Sequence, residues 1–267
     1  MPTVTALRKL HHVLKPPALP TAGQFAVCEF LLNEHHRNPA RPVKRLAKLF
    51  DDALWSKANT TFDASSHPFV TDGRPNPDVG TNATYAAINK LPGRVIRAVG
   101  VHPYEFRYLY REVQILRPED RASRHPAGRA WVDCIGISSE NCPVLCEIKY
   151  QSDQNAFSAL IQLLTYLSEI ATAHQQARTR EHLFKDLPVG STAHDLVIFL
   201  VNPTLGGLKG ELLERTQKLA QGFAKQLRSH HSRSAAVLGN IVCLQGTLDE
   251  ATAEFTRPIE TLWYVEG

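Results

Sequence analysis

Two short apolar runs in this 267-residue chain carry ionisable residues where a buried strand would not want them. One is Trp131-Val132-Asp133-Cys134-Ile135-Gly136-Ile137. The other is Val144-Leu145-Cys146-Glu147-Ile148-Lys149. After Asp133 come thirteen residues and then Glu147-Ile148-Lys149. Side chains alternate faces along a strand, so Glu147 and Lys149 share one face with Cα atoms about 7 Å apart. A strand pairing alongside can bring Asp133 to the same spot. Two carboxylates crowded in a partly buried place repel each other unless a cation lies between them. Mg²⁺ suits such a pair: it takes oxygen ligands, keeps several waters and needs only one or two protein carboxylates. Mn²⁺ is the expected substitute. An ion so placed neutralises phosphate charge and lowers the pKa of a bound water. The Lys149 ammonium can hold the attacking water and offset phosphate charge. These residue types at this spacing point to hydrolysis of a phosphodiester.

The bland reading of the same residues is an exposed edge strand with ordinary salt bridging. Val144, Leu145, Cys146 and Ile148 make that strand too apolar for an exposed edge, so a charged pair there needs a reason.

Periodicity and punctuation give the elements that must position these groups. Residues 25–32 form a short apolar segment read as helical. Over 43–55, Val43, Leu46, Phe50 and Leu54 fall on one helical face. Residues 56–78 are polar, with Pro68, Pro75, Pro77 and an Asp72-Gly73 turn signal, and read as a long loop or a lobe boundary. A helix is expected over 84–91, ended by Pro92-Gly93. Residues 104–113 read as a helix carrying Glu105 and Glu112, and 117–129 as a polar, basic connection. Strands are expected over 130–137 and 144–150, joined by Ser138-Ser139-Glu140-Asn141. A long helix is expected over 155–174. The continuous apolar run 196–201 reads as a strand buried on both faces. A helix over 210–229 and closing strands over 240–244 and 261–265 complete the order of an α/β chain with a mixed sheet.

In this context the Asp, Glu-x-Lys pattern resembles the PD-(D/E)XK nuclease superfamily. Gln162-Leu163-Leu164-Thr165-Tyr166 on the following helix resembles the Gln-x-x-x-Tyr motif of its RecB-like branch. Gln162 and Tyr166 are four apart, on one helical face. The resemblance spans residues 103–201. It implies a restriction-endonuclease-like fold: a mixed sheet flanked by helices, here with an N-terminal helical extension. Residues 1–100 are then a mostly helical accessory region and 101–267 the nuclease-like α/β domain. Carried over by position, Asp133 and Glu147 would ligate the metal and Lys149 would be the catalytic lysine. Glu112 would be a further carboxylate and metal ligand, preferred over Glu105 because it lies nearer the strand. Gln162 would orient the site or touch nucleic acid, and Tyr166 would be the second residue of the helix motif. Val132 stands before Asp133 where the superfamily commonly has proline. The implied activity is metal-dependent hydrolysis of DNA by activated water, leaving a 5′-phosphate. DNA is preferred to RNA only on the habits of the superfamily. The alternatives are a catalytically silent nucleic-acid-binding or protein-interaction module on the same fold, or a nuclease acting on structured RNA.

Charge and composition bound the partners. The formal net charge is +4, which permits a polyanionic partner without demanding one. Arg107, Arg111 and Arg129 could line a phosphate groove with Gln162, although interleaved acids make a solvated face an equal reading. A homodimer is conceivable, since the two strands of a duplex need two sites. No apolar run is long enough to span a membrane, and residues 1–20 lack a signal-peptide core, so the chain is read as cytoplasmic. Its five cysteines form no framework spacing, which fits a reducing compartment. Strand parity turns Cys142 and Cys146 away from Glu147 and Lys149, as small packing residues. The paired histidines lack ligand spacing, and neither a phosphate loop nor a Gly-x-Ser-x-Gly elbow is present.

Overall fold

The computed structural model describes residues 5–14, 38, 40–56, 83–115, 131–151, 155–203 and 207–267. Among the described residues three helices come first: α1 (Ala6–Val13), α2 (Ala40–Leu54) and α3 (Ala83–Ile88). Four strands follow, β1 (Val95–Val99), β2 (Tyr104–Gln114), β3 (Trp131–Ser138) and β4 (Pro143–Tyr150). Next come α4 (Ala156–Ile170), α5 (Ala173–His182), β5 (His194–Val201), α6 (Gly207–His230) and the short α7 (Ser232–Ala235). The strands β6 (Leu238–Gly246) and β7 (Ile259–Val265) close the chain.

The seven strands lie side by side in sequence order. β1 to β4 are antiparallel neighbours, β4, β5 and β6 run parallel, and β7 is antiparallel to β6. The sheet curls until β1 meets β7 through two parallel pairs, Ala98 with Ile259 and Val99 with Glu260. The parallel crossover from β4 to β5 is made by α4 and α5, as parallel strands require a long connection.

A closed sheet has two faces, and the alternation of side chains serves both. Phe106, Tyr108, Cys134, Val144, Cys146, Ile148, Val197, Phe199 and Val242 fill the inner face, with Ala87 and Ile88 of α3 packed against them. Leu145, Leu196, Ile198, Ile241 and Cys243 point outward to the helices. β5 is buried throughout because one face meets the interior and the other meets α4. At Gly136 the neighbouring strand comes so close that a Cβ would stand 2.4 Å from the Arg107 carbonyl oxygen. Only glycine fits there.

Every residue of α4 is buried, as expected of a helix apolar on nearly all sides. It packs on β4 and β5 on one side and on α1, α2 and α6 on the others. Each of its buried leucines contributes about 2 kcal/mol. Two of its polar residues bond back to the helix itself: Thr165 Oγ1 donates to the Ile161 carbonyl at 2.8 Å and Ser168 Oγ to that of Thr165 at 2.7 Å. α2 shows a one-sided burial of Val43, Leu46, Ala47, Phe50 and Leu54 at helical spacing.

Two expectations are corrected. Residues 104–113 are not a helix but strand β2, so Glu105 and Glu112 lie on a strand. Tyr104, Phe106 and Tyr108 alternate inward with Glu105 and Arg107 outward, the period-two pattern of a half-buried strand. A register shift between Tyr108 and Tyr110 then breaks that alternation. The helix expected over 155–174 ends at Ile170, and a second helix starts at Ala173. The Thr172 side chain caps it by accepting from the Gln175 N–H at 3.4 Å. The boundary expected at residue 100 falls between β1 and β2, two strands of one sheet. The expected helix at 25–32, the long loop from 57 onward and the basic connection at 117–129 lie outside the described residues. Among the described residues no single helix is long and apolar enough to cross a membrane.

Candidate active site

The ladder between β3 and β4 ends at the pair Cys134 and Cys146. One step further, the same register sets Asp133 opposite Glu147. There the strands part, and the Asp133 carboxylate takes over a backbone donor: the Ile148 N–H donates to Asp133 Oδ2 at 2.8 Å. The Tyr108 phenol donates to the Asp133 carbonyl at 3.3 Å and holds the same residue from behind. Part of Asp133 reaches solvent, but its carboxyl group is enclosed.

Glu147 and Lys149 project together from the outer face of β4 toward α4, as their spacing requires. Both are buried. Lys149 Nζ lies 3.0 Å from Glu147 Oε1 and 2.9 Å from Gln162 Oε1. Gln162 therefore fixes the ammonium from the helix side, with the Ser158 hydroxyl 3.5 Å from the same oxygen. The Tyr166 phenol lies one turn along α4 from Gln162. Burial pushes that phenol well above the usual tyrosine range, with the Glu147 charge adding to it. Tyr166 stays a neutral donor and acceptor at any ordinary pH.

The electrostatic balance is incomplete. Burial holds the Asp133 carboxyl well above the usual carboxylate range, and the adjacent Glu147 charge raises it further. Lys149 and the Ile148 N–H oppose them. Glu147 Oε2 is buried and accepts no hydrogen bond. An unsatisfied carboxylate oxygen beside a second, proton-hungry carboxyl is a place where positive charge is missing. A hard divalent cation between the two acids would supply it, with oxygen ligands from Asp133 and Glu147 and the rest from water. The donor set present fits Mg²⁺ or Mn²⁺.

Glu112 stands at the margin of this pair. It is near enough for its charge to raise the Asp133 pKa, yet its Oε1 accepts from the Tyr85 phenol at 3.0 Å. Among the described residues no three His, Cys, Asp or Glu side chains come together to hold one ion, so Glu112 does not join Asp133 and Glu147 in a single ligand set. Arg111 is half-buried beside Glu112. Arg107 is exposed, five residues back along β2, roughly 16 Å from Glu112 at strand rise. Arg129 lies outside the described residues. Cys134 and Cys146 are free thiols facing the interior, on the opposite face from Glu147 and Lys149. The Cys142 thiol donates to the Ala193 carbonyl at 3.3 Å.

Three contributors escape sequence reasoning. Tyr85 comes from α3, in the region read as accessory. Arg8 of α1 pairs with Glu169 of α4 through two hydrogen bonds, both side chains buried. His11 sets its ring edge against Tyr166 at 5.5 Å. Together Arg8 and His11 lock α1 onto the helix that carries Gln162 and Tyr166. No local pattern marks these residues, because each contact joins segments far apart in the chain.

Comparison with protein-family models, with characterised proteins and with solved structures finds no match. The functional reading therefore rests on the residues themselves.

Proposed function

We propose that this chain is a Mg²⁺-dependent nuclease of the PD-(D/E)XK type that hydrolyses DNA phosphodiester bonds. The observation that carries the reading is the buried, unpartnered Glu147 Oε2 beside the enclosed Asp133 carboxyl, with Lys149 Nζ 3.0 Å from Glu147. The mixed sheet supports the finer fold assignment, restriction-endonuclease-like: antiparallel β2, β3 and β4 carry the charged groups, and α4 leads from them into a parallel β5.

In this reading Asp133 and Glu147 hold the ion. When bound, it polarises the phosphate and acidifies a coordinated water. The Ile148 N–H keeps the Asp133 carboxylate aimed at the pair. Lys149 offsets phosphate charge and orients the attacking water, and Gln162 fixes the ammonium in place. Arg111, and Arg107 further along β2, would contact phosphates.

The test is a cleavage assay on linear duplex, circular duplex, single-stranded DNA and structured RNA, in Mg²⁺, Mn²⁺ or EDTA, with Lys149→Ala alongside. Cutting of DNA that needs the ion and is lost in the variant is the expected result. Cutting that persists in EDTA, or in Lys149→Ala, would sink the assignment. Cutting of RNA alone would move the substrate, and binding without cutting would identify a silent module.

A further inference from the structure

We propose that Tyr85 is a positioning residue that holds the Glu112 carboxylate just outside the ligand sphere, where it accepts a hydrogen bond from a water on the ion held by Asp133 and Glu147. This inference rests on the nuclease reading above.

Glu112 has φ 47° within strand β2. A positive φ is uncommon for a residue other than glycine, and such residues persist where surrounding structure imposes them. That backbone conformation redirects the Glu112 side chain, and the Tyr85 phenol meets it at 3.0 Å. Burial, and next the Glu112 charge, push the Tyr85 pKa up to about 12, so the phenol keeps its proton and remains a donor.

The helix that carries Tyr85 is anchored to the strand that carries Glu147 and Lys149. Thr84 Oγ1 donates to Glu250, and Gln151 Nε2, just past the end of β4, donates to Thr84 Oγ1 at 2.9 Å. The Tyr85 ring lies 6.3 Å from that of Tyr150. Ala87 and Ile88 sink into the inner core. Tyr85 is thus fixed relative to the carboxylates, and through it Glu112. In the β2–β3 ladder Arg111 pairs with Cys134 and Val113 with Val132, which sets Glu112 across from Asp133, and among the described residues no three acidic side chains gather round one ion. A carboxylate at that remove is placed to bond coordinated water, and partners of that kind orient the ligands they touch.

The test measures Mn²⁺ binding without nucleic acid, by the electron paramagnetic resonance signal of free Mn²⁺, in wild type, Tyr85→Phe, Glu112→Gln and the double variant. Turnover and melting temperature are recorded beside it. Tyr85→Phe should weaken Mn²⁺ binding about 10-fold and lower kcat with KM unchanged. The double variant should be no weaker than Glu112→Gln alone. A tyrosine that only held α3 on the sheet would lower the melting temperature and leave Mn²⁺ affinity as it was. Wild-type affinity in folded Tyr85→Phe, or losses that multiply in the double variant, would overturn the inference. Should Tyr85→Phe not fold, Glu112→Gln decides alone, and unchanged Mn²⁺ affinity there overturns it. If wild type binds no Mn²⁺, the nuclease reading itself fails, a result distinct from an unresponsive Tyr85.

Discussion

Replacing Lys149 by Met puts the charge balance of the site to its sharpest test. The side chains of Lys149 and Glu147 are only 10% and 4% exposed, so water screens the pair little. Methionine keeps the unbranched chain as far as Cε and removes the charged nitrogen. Glu147 is then left with Oε1 as well as Oε2 unpartnered, facing an enclosed Asp133. Removing one partner of a buried ion pair costs about 3–5 kcal/mol. The lower end applies here, because the Asp133 carboxyl is held well above the usual carboxylate range and so adds less repulsion than a full second charge. A loss of about 3 kcal/mol lowers the melting temperature by roughly 6–12 °C in a chain of this size. A divalent ion at a hundred times its Kd adds about 2.7 kcal/mol to whichever protein binds it, so the deficit narrows to the extent that removing the competing ammonium makes the ion bind the variant more tightly.

The assay is thermal denaturation of wild type and variant in EDTA and in saturating Mg²⁺. Most of the deficit in EDTA should vanish with the ion, while turnover stays at least about 100-fold down. Glu147→Gln combined with Lys149→Met should recover stability in EDTA and respond little to the ion. An unchanged melting temperature in EDTA would mean the buried pair contributes nothing. An equal deficit with and without the ion would mean the lysine acts by packing, and the argument from missing positive charge would fail.

Three further outcomes follow from the same geometry. Asp133→Asn keeps an oxygen for the Ile148 N–H and relieves the repulsion with Glu147, so it should melt no lower than wild type in EDTA. By calorimetry it should lose more Mn²⁺ affinity than the roughly 10-fold typical of an outer-shell change. His194 is buried with its pKa lowered to about 4 by burial, and its Nδ1 lies 3.1 Å from the Thr192 carbonyl. A folded pKa below the unfolded value gives stability that is whole above pH about 6.5 and drains away as pH falls to about 4, by about 3 kcal/mol. Asp195 next to it is raised by burial and works in the opposite sense, so the difference between wild type and His194→Gln in urea melts across that window isolates the histidine. No difference in slope would refute it. Gly136→Ala forces a Cβ against the Arg107 carbonyl and should cost about 3 kcal/mol by the same melts. Wild-type stability would show that β2 and β3 can move apart at no cost.

What the sequence discloses of this site is the part that breaks a local rule. Asp133, Glu147 and Lys149 stand out because charge does not belong in strands this apolar, and the structure does gather them. Gln162 was legible from its place on the helix that follows, and it does touch Lys149. The segment 104–113 misleads because two periods compete in it. Tyr104, Phe106 and Tyr108 alternate as a strand, but the register shift near Leu109 interrupts the alternation, leaving spacings that also suit a helix. The break at Ala171 carried a sign in Thr172-Ala173-His174-Gln175, the spacing of a capping box, hidden by the apolar periodicity on its N-terminal side. The contacts of Tyr85 with Glu112, and of Arg8 and His11 with α4, left no such sign. They depend on which segments the fold brings together, and nothing in the spacing of either segment encodes the other.

The closure of the sheet has a consequence for where the molecule gives way. The β1–β7 seam is held by two residue pairs, whereas β4 and β5 share seven. Val95 and Val99 of β1 are also 40% and 52% exposed. Local opening follows the fewest buried contacts and the most solvated hydrogen bonds. Amide protons of β1 should therefore exchange with solvent soonest among the strands, and those of β4 and β5 last. In a ring of seven the strand opposite that seam is β4. Thermal breathing is thus spent on the side of the ring farthest from Glu147 and Lys149, and the carboxylates keep their spacing while the far edge loosens.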